Sequence, residues 1–273
     1  MISKVVVLYQ PMLPEAREMA SQLRQQFAAL GVQGWIGSAW EEETARTHLN
    51  QAELMITLGG DGTILHAARV ARGTGIPMLC VNFGKVGFLA ELAPGELAPT
   101  LPSILNREFW LERRAMLHCV AHRGGQRLGE YDALNDIVVS RSCGVRVIKI
   151  SVQVNGVDIM QYLADGVIVS SATGSTAYAL SAGGPIMHPE VGDLLFVPIC
   201  PHLKSSRALV LPPSSRVTLT VSGSYDPLVG IDGQISLPLE DGDRVEVARS
   251  EHDAVFARVR PRDYFYRAVP GIL

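Results

Sequence analysis

The segment Leu54-Met55-Ile56-Thr57-Leu58 runs directly into Gly59-Gly60-Asp61-Gly62-Thr63, and that into Ile64-Leu65-His66-Ala67-Ala68-Arg69. An apolar run, a glycine turn and a helical pattern in this order constrain the chain more than any other feature. Successive glycines carry no Cβ, so backbone N–H groups can converge and come close to a ligand. The helix that follows adds its unpaired N–H groups and a partial positive charge. Gly59, Gly60, Gly62 and Thr63 therefore read as a phosphate-holding turn. Asp61 is the odd member. A carboxylate beside a phosphate is unfavourable unless it takes a proton from a hydroxyl or helps to hold a divalent cation. The plainer alternative is that Asp61 caps the helix. Neither GxxxxGK[ST] nor GxGxxG occurs in the chain.

The surroundings of this turn predict a parallel sheet. Lys4–Tyr9 is a β-branched run, and Glu15–Leu30 places Met19, Leu23, Phe27 and Leu30 on one helical face. A short strand is expected at Trp35-Ile36, a helix in Glu41–Gln51, a strand at Leu54–Leu58, a helix over Thr63–Arg72 and a strand over Ile76–Phe83. Strands alternating with helices imply βαβ units. A second glycine-bearing loop, Asn82-Phe83-Gly84-Lys85-Val86-Gly87-Phe88, would open at the same carboxyl edge of that sheet, where ligands collect.

The rhythm changes after Phe109. Ile148, Ile150, Val152 and Val154 alternate with polar residues up to Asn155-Gly156, a strong hairpin signal. Val217, Leu219 and Val221 alternate in the same way, and Asp241-Gly242 precedes Val245 and Val247. The expectation is an α/β N-terminal Rossmann-like domain with a mostly parallel sheet over 1–109, and an all-β C-terminal sandwich domain over 110–255. The Pro-containing stretch Ala93–Pro102 reads as the approach to the junction.

Bulk properties narrow the function classes. A net charge of -3 implies no basic face, so nucleic acid is a poor candidate partner. No stretch approaches the roughly 18 apolar residues of a membrane span, and the N-terminus reads as a first strand. A soluble cytoplasmic protein is expected. Cys80, Cys119, Cys143 and Cys200 lie far apart in apolar stretches, which suits reduced, buried thiols. His118 and His122 lie on a predicted strand, Leu117–Arg123, with no third metal ligand in view.

A second constellation lies in the β half. Asp165-Gly166 opens a strand that ends at Ala172, and Thr173-Gly174-Ser175-Thr176-Ala177-Tyr178-Ala179-Leu180-Ser181-Ala182-Gly183-Gly184-Pro185 follows. Small residues admit a flat ligand, and hydroxyls and exposed N–H groups can bond base edges and ribose. Tyr178 offers a ring face or its OH. The bland alternative is a capped helix of small residues packed on a sheet. Asn135-Asp136 stands just before an apolar strand, and an acid pairing with both hydroxyls of a ribose is a familiar device. Standing alone, the dipeptide is explained more simply as a turn.

Taken together these pieces resemble the bacterial NAD kinases. The resemblance rests on Gly59–Thr63, Asn82–Leu89, Leu134-Asn135-Asp136, Asp165-Gly166, Thr173–Pro185, Pro198–His202, Leu209–Pro212 and Asp232-Gly233-Gln234. The glycine turn is shared with diacylglycerol, sphingosine and phosphofructo-kinases, whereas Thr173–Tyr178 with Ser181–Pro185 is specific to NAD kinases.

The resemblance implies ATP-dependent phosphorylation of the adenosine 2′-hydroxyl of NAD, with Mg²⁺ as the usual cation. It implies Asp61 as catalytic base. Gly62, His66, Asn135, Asp136, Arg146, Asp165, Thr176, Ala177, Tyr178, Ala179, Leu180, Ser181 and Gln234 would contact NAD or nucleotide, His66 and Arg146 by spacing alone. It also implies a homodimer or homotetramer, and a C-terminal tail, 256–273, that returns to the first domain. Three positions depart from the pattern: Asp136 where many members have Glu, Leu163 where several have Arg, and Ala172 in place of a common Pro. Two other readings of the same residues are a lipid or sugar kinase sharing the glycine turn and a non-catalytic dinucleotide-sensing module.

Overall fold

The computed structural model of the chain describes all residues except 85–87, 143–145, 203–206, 224–225 and 272–273. The chain divides into two compact units: Met1–Arg113 with Asp253–Leu273, and Arg114–His252.

Unit 1 is α/β. Its elements run β1 (Lys4–Tyr9), α1 (Pro14–Leu30), β2 (Gln33–Ser38), α2 (Glu42–Thr47), β3 (Leu54–Gly59), α3 (Asp61–Ala71), β4 (Met78–Asn82) and α4 (Pro94–Leu105). The sheet order is β2-β1-β3-β4, every pairing parallel. The end of a later strand, Arg244–Arg258, adds itself to β4 in parallel through Phe256↔Met78. Strands β3 and β4 are buried along their whole length, which suits their mostly apolar sequences, Thr57 and Asn82 being the polar members. On α1, Leu23 and Phe27 enter the core as the spacing predicts, Met19 is partly buried, and Leu30 is exposed at the C-terminal end.

The stretch Ala93–Pro102 is taken up by α4, with Ala93 as its N-cap residue. Pro94 takes the first turn, where a missing N–H costs nothing. Pro99 and Pro102 lie inside α4, and burial of Leu97, Leu101, Ile104 and Leu105 offsets the lost helical bonds. The Glu96 carboxylate accepts the Ala93 N–H at 2.7 Å and so ties down the helix start. Deep in this unit, Arg258 pairs with Glu91 at 3.1 Å and with Glu112, all three side chains buried. Arg258 also donates to the Leu89 carbonyl at 3.1 Å, which anchors the far end of the second glycine loop.

Unit 2 is a β-sandwich. It is entered along β5 (Trp110–Arg123) and continues through β6 (Gln126–Ala133), β7 (Asp136–Arg141), β8 (Ile148–Val154), β9 (Val157–Ala164), β10 (Gly166–Ser170), the four-residue α5 (Tyr178–Ser181), β11 (Leu194–Ile199), β12 (Leu209–Leu211), β13 (Arg216–Ser222), β14 (Pro227–Ile231), β15 (Ile235–Pro238) and β16 (Arg244–Arg258). A short α6 (Tyr264–Ala268) follows and belongs to unit 1. One sheet runs β16-β13-β8-β9 and the other β12-β11-β10-β7-β14-β15, all antiparallel. Alternate residues of both meet in one core, for example Ile150, Val152 and Leu219 with Val139, Val169 and Phe196. The Asn155-Gly156 hairpin forms between β8 and β9, with φ of 51° and 79°, the positive pair that a type I′ turn requires.

The cysteines divide. Cys80 and Cys119 are buried, and burial, with the charge of Asp132, pushes the Cys119 thiol up to about 12. Cys200 is exposed, contrary to expectation, because β11 ends at Ile199 and the chain turns there with a φ of 44°. Cys143 lies outside the described residues. No helix of the described residues is long and apolar enough to cross a membrane.

Candidate active site

The glycine turn sits where β3 ends and α3 begins, with Gly60 extended at the cap position and Asp61 the first helical residue. No side-chain hydrogen bond caps α3, so Asp61 is not spent as an N-cap. Gly59 is required sterically: a Cβ there would lie 2.2 Å from Thr63 Oγ1 and 3.0 Å from Gln10 Cβ. A Cβ on Gly60 would come no nearer than 4.0 Å to anything, so the turn presents open backbone at that point.

Asp61 is surface-accessible, yet neighbouring atoms strip water from its carboxyl and raise its pKa. Its neighbour is Asn82. The parallel register sets Asn82 opposite Gly59, and Asn82 Nδ2 donates to Asp61 Oδ1 at 3.4 Å. The Asn82 Oδ1 accepts the Gly84 N–H at 2.8 Å, so one buried amide ties the second glycine loop to the acid. The two loops therefore do open at one sheet edge. In the sequence Asn82 reads only as part of a loop. Its role becomes visible once a polar residue is noticed at the exit of an otherwise apolar strand paired beside the glycine turn.

His66, one turn further along α3, is committed to a local network. Its Nδ1 lies 2.9 Å from Glu42 Oε1 and 2.8 Å from Arg69 Nη2, and its ring packs on Trp40 with centroids 4.0 Å apart. Burial pushes the Glu42 carboxyl up, but hydrogen bonds from His66 and Arg69 and the Arg69 charge outweigh it and bring Glu42 to about 2.

In unit 2 the second constellation is built on β7, β10 and the β14–β15 turn. Asn135 stands just before β7 and Asp136 is its first residue. Main-chain bonds clamp this dipeptide to the strand exit of β10: Ser171 N donates to the Asn135 carbonyl at 2.9 Å and Ser171 Oγ to the Leu134 carbonyl at 2.5 Å. Gly174 packs so closely here that a Cβ would lie 2.1 Å from the Asn135 carbonyl oxygen. Asp136 is buried and its carboxyl makes no hydrogen bond among the described residues. Burial, and then the charge of Asp232, pushes it up to about 7.

Thr173–Ser181 forms a short 3₁₀ turn over Gly174–Thr176 followed by α5. Ala179 is buried beneath it; Thr176, Ala177 and Leu180 are half-buried; Tyr178 and Ser181 are exposed. The Tyr178 phenol is raised by partial burial, then by the charges of Cys200, Asp165 and Asp136. That places Tyr178 electrostatically near both acids of the constellation. Asp165 itself accepts a hydrogen bond from Arg141 Nε at 2.8 Å, a partner that the strand register explains, since Gly166 pairs with Ser140. Gln234 is half-buried in the β14–β15 turn, its N–H on the Ile231 carbonyl at 2.9 Å. Arg146 is exposed, next to the undescribed 143–145.

Among the described residues, four buried side-chain oxygens have no hydrogen-bond partner: Thr57 Oγ1, Thr63 Oγ1, Asn135 Oδ1 and Thr173 Oγ1. The last three lie in the motifs singled out above. Such atoms each cost about 1–3 kcal/mol unless something bonds them, and a bound polar ligand is one explanation. Among the described residues, no cluster of three or more His, Cys, Asp or Glu could hold a metal ion. His118 is held instead by Asp132 at 2.8 Å and Glu130 at 3.4 Å.

The chain thus joins an α/β unit with a glycine turn at its carboxyl edge to a β-sandwich with a hydroxyl-rich helical turn. The family model described as ATP-NAD kinase N-terminal domain matches residues 5–109, and that described as ATP-NAD kinase C-terminal domain matches 134–259. The chain belongs to the ATP-NAD kinase family. An NAD kinase of Dehalococcoides mccartyi is 38% identical over 269 residues, covering 98% of this chain and 94% of its own. An NAD kinase of Heliobacterium modesticaldum is 40% identical over 259 residues, covering 93% and 91%. Among solved structures, a yeast NADH kinase complexed with NADH matches with a TM-score of 0.83 at 24% identity, over 98% of this chain and 86% of that one. An NAD kinase from Archaeoglobus fulgidus in complex with ATP matches with a TM-score of 0.79 at 24% identity, over 98% of both chains. At that identity the two structures speak for the fold.

Proposed function

We infer that the chain is an NAD kinase that moves the γ-phosphoryl group of ATP to the 2′-hydroxyl of the adenosine ribose of NAD. The observation that carries this reading is the set of buried polar atoms left without partners at the motifs themselves: Thr63 Oγ1, Asn135 Oδ1 and Thr173 Oγ1. In the reading, Gly59, Gly60, Gly62 and Thr63 hold phosphate. Asn135 and Asp136 take the adenosine ribose, Thr176 through Ser181 and Gln234 line the nucleotide, and Asp165 serves the nicotinamide end. His66 would reach the ligand through Nε2, since Nδ1 is engaged, and Arg146 through its exposed guanidinium.

Asp61 takes the 2′-hydroxyl proton as O2′ attacks the γ-phosphorus in line and the bond to the β-phosphate oxygen breaks, releasing ADP. Desolvation supports that role, because a raised pKa makes the carboxylate a stronger base. The Asn82 amide on one carboxylate oxygen orients the acid and leaves the other for the proton. Mg²⁺ is a hard cation that would be held largely by the triphosphate oxygens. The unpaired Thr63 Oγ1 is the protein oxygen that would join its shell. Mg²⁺ so bound would offset phosphate charge.

The protein acts in the cytoplasm as a homodimer or homotetramer. The exposed Val157, Ile159, Met160 and Leu163 on the edge strand β9 support assembly, since a bare apolar edge invites another chain. The primary test mixes purified protein with ATP, Mg²⁺ and NAD and measures NADP and ADP in equal amounts. Asp61→Asn should still bind NAD while its kcat falls about 10²–10⁴-fold. Turnover near wild type in that variant would remove Asp61 from the role, and NAD binding by the wild type without ADP release would mark a sensing module instead.

A further inference from the structure

The β14–β15 turn carries a carboxylate that none of the roles above uses. Asp232 is buried, with a φ of 50°, a left-handed conformation that Asp and Asn tolerate better than most residues. Its Oδ2 accepts the Leu134 N–H at 2.9 Å, and its Oδ1 accepts the N–H groups of Asn135 at 2.7 Å and Asp136 at 3.2 Å. Its own N–H donates to the Asp136 carbonyl at 3.0 Å. The side chain thus gathers three successive main-chain donors, and the backbone of the same residue returns a fourth bond. On the opposite side the carbonyls of Leu134 and Asn135 accept from Ser170 and Ser171, the segment that leads into Thr173–Ser181. Residues 134–136 are therefore gripped by N–H on one side and by C=O on the other.

We propose that Asp232 is a positioning residue for the dinucleotide: it fixes the backbone of Leu134–Asp136 and so holds the Asn135 and Asp136 side chains in the places where they bind the ribose. The proposal rests on the NAD kinase reading above. A carboxylate suits this post better than any neutral group. It offers acceptors only, and three N–H groups converge on it without an opposing donor. Asparagine of the same size keeps the left-handed backbone but turns an NH₂ group towards one of those N–H groups, so one donor faces another.

Asp232 also acts on Asp136 through charge. The groups facing Asp136 are Ser170 on the paired strand β10, Asp232 on the β14–β15 turn, and Tyr178 on α5. Burial, and after it the charge of Asp232, holds the Asp136 proton on to about pH 7. Ribose hydroxyls donate, so they bind the ionised form of Asp136. NAD affinity is then expected to fall as pH drops below 7, and this acid limb belongs to the Asp136–Asp232 pair.

The test uses the full chain with Asp232→Asn. The expected result is a KM for NAD raised tenfold or more with the KM for ATP within twofold of wild type. The acid limb of NAD binding, followed by calorimetry between pH 5 and 8, should move to lower pH because the neighbouring charge is gone. A merely structural role would lower the melting temperature and leave that limb in place. A cooperatively folded Asp232→Asn with unchanged KM for NAD and an unchanged limb would overturn the proposal. If Asp232→Asn does not fold, Asp136→Asn with Asp232 intact carries the test. Its acid limb should vanish, and persistence of the limb would overturn the assignment to this pair. Should the wild type itself make no NADP from ATP, Mg²⁺ and NAD, the NAD kinase reading fails. If it makes NADP but Asp232→Asn matches it throughout, only the positioning role fails.

Discussion

Asp61 and Asp136 are both acids deprived of water, and the two environments differ in kind. Asp61 stands at a helix start with an asparagine amide on one oxygen, whereas Asp136 is buried beside another acid. For Asp136 the consequence for stability can be signed. Its folded pKa, about 7, lies above the ordinary carboxylate value, so its contribution to stability is fully present in acid and is lost as pH rises through 7. Asp136→Asn should therefore melt higher than the wild type at pH 8, with the gain vanishing near pH 4, while NAD binding is weakened at both and no longer changes with pH between them. Differential scanning fluorimetry across that range checks it, and a lower melting temperature at pH 8 would contradict the burial argument. At this scale much was legible. The Gly59–Thr63 turn and its unexplained acid stand out from residue types alone. Asn82, Arg141 and Asp232 do not, because each matters through a partner distant in sequence.

Among the elements, the strands with clean rhythm were the readable ones. The β8–β9 hairpin follows from alternation plus Asn155-Gly156, and β1 from a β-branched run. Helix α4 was not readable: two interior prolines argue against a helix locally, and only the apolar face it lays on the unit 1 core reverses that. Thr173–Pro185 was legible as small and hydroxylic but not as a 3₁₀ turn followed by a four-residue helix. Its shape comes from Gly174 packing on the Asn135 carbonyl. Gly174→Ala should lose about 1–3 kcal/mol of stability by overpacking, as read by urea unfolding. It should also raise the KM for NAD, since the displaced group is the backbone of Asn135. A variant as stable as wild type would show that the contact can relax.

For the whole molecule, the proposed assembly attaches to one edge. Strand β9 ends its sheet and exposes Val157, Ile159, Met160 and Leu163. If a second copy covers that edge, Ile159→Lys should shift the sedimenting species to a smaller one while leaving the melting of a dilute sample little changed. An unaltered sedimentation coefficient would place the contact elsewhere. By itself the sequence determined the class of each half, the position of the glycine turn and the order of the motifs, because periodicity, glycine placement and turn chemistry are local properties of the chain. What the tertiary structure decided is how those motifs are completed: Asn82 on Asp61, Asp232 beneath Asn135 and Asp136, and Arg141 on Asp165. Those contacts join residues 21 to 97 positions apart, and their energetics depend on strand register and on burial, which exist only after the sheets have formed.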